Sequence, residues 1–509
     1  MNDNQQGTGL ELQLNKVGVI GAGAMGRGIA QVCAAAGCEV QLYDSASEAV
    51  ARARQAVRDD LDQAVRKGKL AQDEAEATLA RIHAQADLRG LADCHLVVEA
   101  IVEKLEPKQG LFKELEAIVA PDCVLATNTS SLSVTAIAAA CQRPERVAGW
   151  HFFNPVPRMR LVEVIQAPRT APQVVQALAE LSKRVGHRAV VASDSPGFVV
   201  NHAGRAFVTE GLKLLAERCA EHHVIDAILR NAGFRMGPLE LLDLTALDVS
   251  VPVMESIHAQ YYGDDRYRPV ALARTRMTAG LLGRKTGEGF YSYASGVQQR
   301  PAVAPQAVAE ASVWWPTSGP AALPEALADL FPAGARRYNP TQADLLLVAP
   351  VGADLSTTVV ELGLDASKTL AIDPLFSSRT GVTLMASPAS SADTVARAQG
   401  LLAGLEIPSF LVNDSPGYVA PRVVACVVNL ACEMAQQGVA APADIDAAVR
   451  LGLGYPCGPF EWGDRLGASV VLQVLQGLHA TFGDQRYRPS PWLVRRARLG
   501  LSLSAPDRR

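Results

Sequence analysis

"VGVIGAGAMGRGIA", residues 17–30, decides the fold. A short apolar run suited to a buried strand ends in Gly21-x-Gly23-x-x-Gly26, and a helical pattern starts at once. In such a turn the first glycine allows the tight bend. The second, followed here by Ala24 and Met25, leaves room for a pyrophosphate, and the third lets helix and strand pack closely. The first amides of the helix then face the phosphate. Three spaced glycines alone are weak evidence; their place between strand and helix makes them a dinucleotide signature. The next strand-like run, "EVQLYD", ends at Asp44, 23 residues after Gly21. A carboxylate there accepts the adenosine ribose hydroxyls and repels a 2′-phosphate, which points to NAD rather than NADP. The bland alternative is a structural strand–turn–helix with a solvent-facing aspartate.

Outward from this turn, "KVGVI" (16–20), "EVQLYD" (39–44), "HLVVEAI" (95–101), "VLATN" (124–128) and "RAVVAS" (188–193) alternate with helical stretches. That rhythm predicts a mostly parallel sheet covered by helices, an NAD-binding domain of the Rossmann type over residues 14–195. The 509 residues exceed one ordinary core. A net charge of -4 with mixed signs gives no footprint for nucleic acid or an anionic membrane. The polar start "MNDNQQGTGLELQLN" is unlike a signal peptide, and no run of 18 apolar residues suggests a membrane span. Nine scattered cysteines without a CxxC pair point to reduced thiols in a cytoplasm and to no metal site.

Residues 196–294 read as an all-helical domain and 295–335 as a proline-rich linker. An internal repeat follows. "SDSPGFVV" (193–200) returns as "NDSPGYVA" (413–420), "MGPLELLD" (236–243) as "CGPFEWGD" (457–464), and "YGDDRYRP" (262–269) as "FGDQRYRP" (482–489). The offset stays at 220 or 221, so residues 413–505 are a second copy of the helical domain. Residues 336–412, with "ADLLLVAP" and "TLAIDP", read as a degenerate α/β remnant.

The chemistry gathers in the first half. "TNTSSLS" (127–133) places Asn128 and Ser130 at the carboxyl edge of the sheet, where open α/β sheets bind ligands. In "WHFFNPVPRMRLVEVI" (150–165), His151 ends one strand and Glu163 lies on the next; Asn201 follows "DSPGF". Singly, each has a structural explanation: a satisfied core histidine, a helix cap, a turn. Together they suit oxidation of a secondary alcohol beside a nicotinamide. Histidine can take the hydroxyl proton, glutamate can hold the imidazole tautomer, and Ser and Asn can donate to the emerging carbonyl. A hydrolase reading of Ser, His and Glu lacks the GxSxG elbow.

These motifs, with "VVEAIVEKLEPK" and "RKTGEGFY", resemble the 3-hydroxyacyl-CoA dehydrogenase family almost continuously over residues 16–294. The fused second helical domain resembles its long bacterial form. The resemblance implies His151 as catalytic base, Glu163 as its partner, and Ser130 and Asn201 as substrate contacts. It puts Asp44, Glu99, Lys104, Asn128 and Lys285 on NAD, and Lys67 on the CoA phosphates, with Asp60 standing where the family has a serine. It implies 3-hydroxyadipyl-CoA of phenylacetate catabolism as substrate, with 3-hydroxybutyryl-CoA as the alternative. A non-catalytic NAD-binding scaffold is the rival of another class. The second half lacks these groups: at the 220 offset Glu163 becomes Thr383 and Asn201 becomes Pro421. It reads as a built-in partner, an internal pseudo-dimer of helical domains, with homo-oligomer formation left open. Arg235 aligns with Pro456, which suggests a ligand role: a cation for a terminal acyl carboxylate.

Overall fold

The computed structural model describes residues 12–301, 307 and 309–507. Most of the polar N-terminal stretch and residues 302–306 and 308 of the linker lie outside the described residues. The chain forms two bodies, each assembled from separated segments. One holds the chain up to His202 together with Gly438–Leu453; the other holds Ala203–Gln437 and Gly454 onward.

The first body is an eight-stranded sheet. Its strands are β1 (Lys16–Ile20), β2 (Glu39–Tyr43), β3 (Ile82–Ala84), β4 (Leu96–Glu99), β5 (Val124–Thr127), β6 (Val147–Phe152), β7 (Leu161–Gln166) and β8 (Arg188–Ser193). The spatial order is β3-β2-β1-β4-β5-β6-β7-β8. Every neighbour is parallel except β6 and β7. β4, β5 and β6 bury every residue, as strands covered on both faces must. Helices α1 (Ala24–Ala35) and α2 (Ser47–Arg66) belong to the nucleotide-binding half. The strand order reverses direction between β1 and β4, the crevice where such sheets take ligands.

The outer side of β8 is covered by a segment of the second repeat. The Ser193 amide donates to the Val439 carbonyl at 2.9 Å, Ala192 bridges Ala440, and Arg188 pairs with Asp444 at 2.8 Å. A segment of the second repeat, including the helix Pro442–Leu453, thus joins the first body. The physical reason is the open edge of the sheet, whose backbone groups need partners.

The second body carries β9 (Val313–Trp314), β10 (Leu345–Val348), β11 (Thr369–Ile372), β12 (Val382–Ala386) and β13 (Ser409–Asn413), in the order β13-β12-β11-β10-β9. Only β11 and β12 run antiparallel. This repeats the arrangement of β4 to β8, without counterparts of β1 to β3 among the described residues. The remnant thus lacks the half that carries the glycine turn. In the same body helices of the two repeats pack on one another. Arg266 donates to the Arg488 carbonyl at 3.1 Å, and Arg486 donates to the Arg268 carbonyl. Because 266 and 268 match 486 and 488 at the 220 offset, the exchange is reciprocal, as in an isologous contact. Phe207 meets Tyr455 and Phe234 meets Trp462, with ring centroids 5.4 and 5.0 Å apart. At the centre Arg422, fully buried, bonds Glu210 at 2.6 Å, Glu217 at 2.8 Å and the Tyr487 hydroxyl at 2.7 Å.

Candidate active site

The glycine turn has the geometry a dinucleotide needs. Gly21 has φ +97°, and a Cβ on Gly26 would lie 1.7 Å from the Gly21 carbonyl oxygen. A Cβ on Gly23 would meet no heavy atom within 4 Å, so that side of the turn is open for a phosphate. Asp44, just past β2, accepts the Ala22 amide at 2.7 Å and the Ala46 amide at 2.8 Å. Those bonds hold its carboxylate beside the turn, where a ribose would sit. The residues present therefore fit NAD.

A cleft of about 380 Å³ opens next to the turn. Met25, Asn128, Ser130, His151 and Asn201 all line it, so the first body brings together five residues singled out from sequence. His151 and Glu163 sit opposite each other in the β6–β7 ladder, with Nδ1 2.6 Å from Glu163 Oε2. Glu163 is fully buried, and its other oxygen accepts the Val199 and Val200 amides at 2.9 and 2.8 Å. Two backbone donors stabilise a carboxylate, which then accepts from Nδ1–H. That leaves Nε2 as the nitrogen for a ligand in the cleft. Asn128 Oδ1 accepts the Phe152 amide at 2.8 Å and ties the end of β5 to β6. The Asn201 amide group donates to the Ser130 carbonyl at 3.4 Å.

Glu103 and Lys108 also line the cleft and were not singled out from sequence. Glu103 accepts the Ser130 amide at 2.8 Å, the Ser130 hydroxyl at 3.3 Å and the Thr129 hydroxyl at 2.7 Å. Burial works to raise its pKa, but the Thr129 hydroxyl, the Lys108 charge and the Ser130 amide outweigh it and hold the carboxyl below its ordinary range. Lys108 is almost fully buried and bonds Glu99 at 2.5 Å and Glu103 at 3.2 Å. Glu99 is itself wholly buried and also accepts the Thr127 hydroxyl at 2.7 Å, so it braces the site from beneath. Lys104 is exposed and does not line the cleft. The only sequence signal for Lys108 over Lys104 is an apolar neighbourhood typical of a buried helix face.

Three expected contacts are not among the residues that line this cleft. Lys67 lines a neighbouring groove of the first body together with Asp60. Lys285 belongs to the second body, paired with Asp248 at 2.5 Å. Arg235 is in the second body too: its side chain covers Gly454, 3.6 Å from where a Cβ would stand, while Pro456 covers Gly233 in return. That reciprocal contact between the repeats gives the Arg235/Pro456 difference a packing role.

Comparison with known proteins agrees with this architecture. Residues 16–195 match the model for the NAD-binding domain of 3-hydroxyacyl-CoA dehydrogenase, and 197–293 and 417–504 each match that for its C-terminal domain. The chain is 37% identical to the 3-hydroxyadipyl-CoA dehydrogenase of Escherichia coli (strain K12), over 96% of this chain and 98% of that one. It is 45% identical to a probable 3-hydroxybutyryl-CoA dehydrogenase of Deinococcus radiodurans, over 55% of this chain and all of the other. Among solved structures, a 3-hydroxybutyryl-CoA dehydrogenase from Escherichia coli K12 superposes with a TM-score of 0.85 at 36% identity, covering 96% of this chain and 99% of that one.

Proposed function

Because the chain belongs to the 3-hydroxyacyl-CoA dehydrogenase family and is an NAD-dependent enzyme of that kind, we propose that it oxidises the 3-hydroxyl of (S)-3-hydroxyadipyl-CoA to the 3-oxo thioester. The observation that carries the mechanism is the His151–Glu163 pair, buried across β6 and β7 and opening on the cleft beside the glycine turn. His151 Nε2 takes the hydroxyl proton. Glu163, fixed by two amides, stabilises the imidazolium that results. Ser130 and Asn201 donate to the oxygen as it becomes a carbonyl. The glycine turn and Asp44 would hold NAD, which would supply the hydride acceptor for C3. Glu103 and Lys108 hold the Ser130 loop and extend the cofactor contacts expected of Glu99 and Asn128.

The full-length match to a relative named for the adipyl substrate favours that acyl group. The higher identity of the first half to a relative named for the butyryl substrate favours the second reading, 3-hydroxybutyryl-CoA. A panel of 3-hydroxyacyl-CoA thioesters, ranked by kcat/KM from absorbance at 340 nm, decides between them. The first reading requires the adipyl thioester to rank highest. No NADH formation with any thioester would leave a scaffold role. Arg235→Met tests the terminal-carboxylate role: that role requires a loss on the adipyl thioester alone. We place the enzyme in the cytoplasm, in keeping with buried thiols such as Cys33, Cys94 and Cys123 that carry no disulfide. The second helical repeat acts as a built-in pairing partner for the first, in place of a neighbouring subunit.

A further inference from the structure

A helix of the second repeat reaches the acid–base pair within the first body. This helix, Pro442–Leu453, lies against β8, with Asp444 paired to Arg188 at 2.8 Å and the preceding Val439 carbonyl on the Ser193 amide. Gly452 stands in its last turn. A Cβ there would lie 2.9 and 3.1 Å from the two methyls of Val200 and 3.0 Å from a methyl of Leu161. The helix is therefore seated on those two side chains at a position with no room for another carbon. The backbone does not call for this glycine: the left-handed residue that ends the helix is Gly454, at φ +69°. Glycine inside a helix costs stability relative to alanine, so close packing is what Gly452 serves.

Both side chains under Gly452 bear on Glu163. Leu161 stands two residues before it on β7, hence on the same face of the sheet. Val200 supplies one of the two amides that hold the Glu163 carboxylate, at 2.8 Å. The next residue, Asn201, lines the reaction cleft. The matching place in the other repeat is built differently. At the 220 offset Leu161 becomes Gly381, directly before β12. There the helix His222–Asn231 ends on Asn231, which donates to the Gly381 carbonyl at 3.3 Å and accepts the Thr380 hydroxyl at 2.9 Å. Polar bonds join helix to strand where no acid–base pair survives; a close apolar contact joins them where one does.

We propose that the helix Pro442–Leu453 completes the active site: seated on Val200 and Leu161, Gly452 fixes the amide and the strand that together aim Glu163 at His151. The proposal rests on the acid–base reading above. The carboxylate lies 2.6 Å from His151 Nδ1, and a small shift of the backbone on either side of it lengthens that bond. Misplacing a catalytic group by a change far from the reacting atoms lowers the rate without removing any reacting group. Gly452 acts through Glu163 and is thus a positioning residue. The repeat that lost its own chemistry then does more than cover an apolar face, because the acid–base pair of the first half is aligned by it.

The test uses the full chain and the thioester that ranks highest in the panel above. Gly452→Ala should lower kcat roughly 10-fold, short of the roughly 10² that a 1 Å misplacement can cost. KM for NAD and for the thioester should stay nearly in place. The downfield proton resonance of the His151–Glu163 bond, followed by NMR, should move or broaden in the variant. In a Val200→Ala background the crowded methyls are gone, and Gly452→Ala should have little further effect on kcat. Wild-type kcat in Gly452→Ala overturns the proposal, as does a loss that persists undiminished in the Val200→Ala background. If Gly452→Ala fails to bind NAD, Asp444→Arg decides, because it sets like charges against Arg188 and loosens the same helix from the surface. Its kcat should fall and return in the exchanged pair Arg188→Asp/Asp444→Arg; an unaltered kcat in Asp444→Arg is the negative result. A His151→Gln enzyme that keeps its kcat overturns the acid–base reading itself, and the proposal with it.

Discussion

Glu163 receives three hydrogen bonds at once, from the His151 ring and the Val199 and Val200 amides. Changing it alters charge and orientation together. His151→Gln should lower kcat by roughly 10² to 10⁴, the usual worth of a placed acid–base group, while NAD affinity measured by NADH fluorescence holds. Glu163→Gln should slow turnover as well, because the imidazolium loses its counter-charge. Near-normal kcat in His151→Gln would make the histidine structural. Asp44 predicts a large preference for NAD; equal kcat/KM with NADP would remove it from the ribose site. Both groups were legible in sequence because a strand end and a strand interior are places where polar residues stand out. Lys108 was not. Lys104 stands at the N-cap of the helix Leu105–Ile118 with extended backbone and is exposed, whereas Lys108, one turn in, is buried, a difference marked in the sequence only by the apolar neighbours of Lys108.

The β6–β7 hairpin and its counterpart β11–β12 show how an element outlives its chemistry. His151 pairs with Glu163; in the remnant the Asp373 amide donates to the Thr383 carbonyl at 3.0 Å. Asp373 thus holds the place of His151. It was not legible as such because the second hairpin is two residues shorter, so the offset is 222 before it and 220 after it. Asp373 is fully buried; one oxygen accepts the Leu375 and Phe376 amides at 2.8 and 3.2 Å and the other has no partner among the described residues. Burial raises its pKa from 3.8 to about 7, against the two amides that lower it. The native state therefore keeps a proton that the unfolded chain has released, and stability falls as pH rises from about 4 to 7 and stays lower above that. Asp373→Asn should remove this dependence and gain up to roughly 4 kcal/mol at pH 8, with little change near pH 3.5, read from urea unfolding at each pH. Parallel pH profiles for the two proteins would contradict it.

In the whole molecule the repeats are held together by more than apolar packing. Arg422 at the centre of the second body reaches Glu210 and Glu217 on the first repeat's helix Val200–Ala216 and the turn after it. Arg422→Met would leave Glu210 buried without a counter-charge and should cost about 3–5 kcal/mol. Replacing both, Arg422→Met with Glu210→Leu, should recover much of that loss; a double variant as unstable as the single one would argue against the pair. A chain ending near residue 300 would expose Phe207, Phe234 and Glu210 together, so it should self-associate in sedimentation or lose stability. A stable, active monomer would refute the built-in-partner reading. The repeat itself was legible from its constant offset. That residues 438–453 of the repeat pack against β8 was not, because sequence periodicity does not show which sheet edge needs covering.

That last contact bears on how the protein is made. The Ser193 amide waits for the Val439 carbonyl, and its hydroxyl lies 3.4 Å from the same oxygen, 246 residues downstream. At 5–20 residues per second, a ribosome needs roughly 12 to 50 s to deliver it. Throughout that interval the nascent first body presents β8 as a bare strand edge, the state most open to capture by a chaperone or by another unfinished chain.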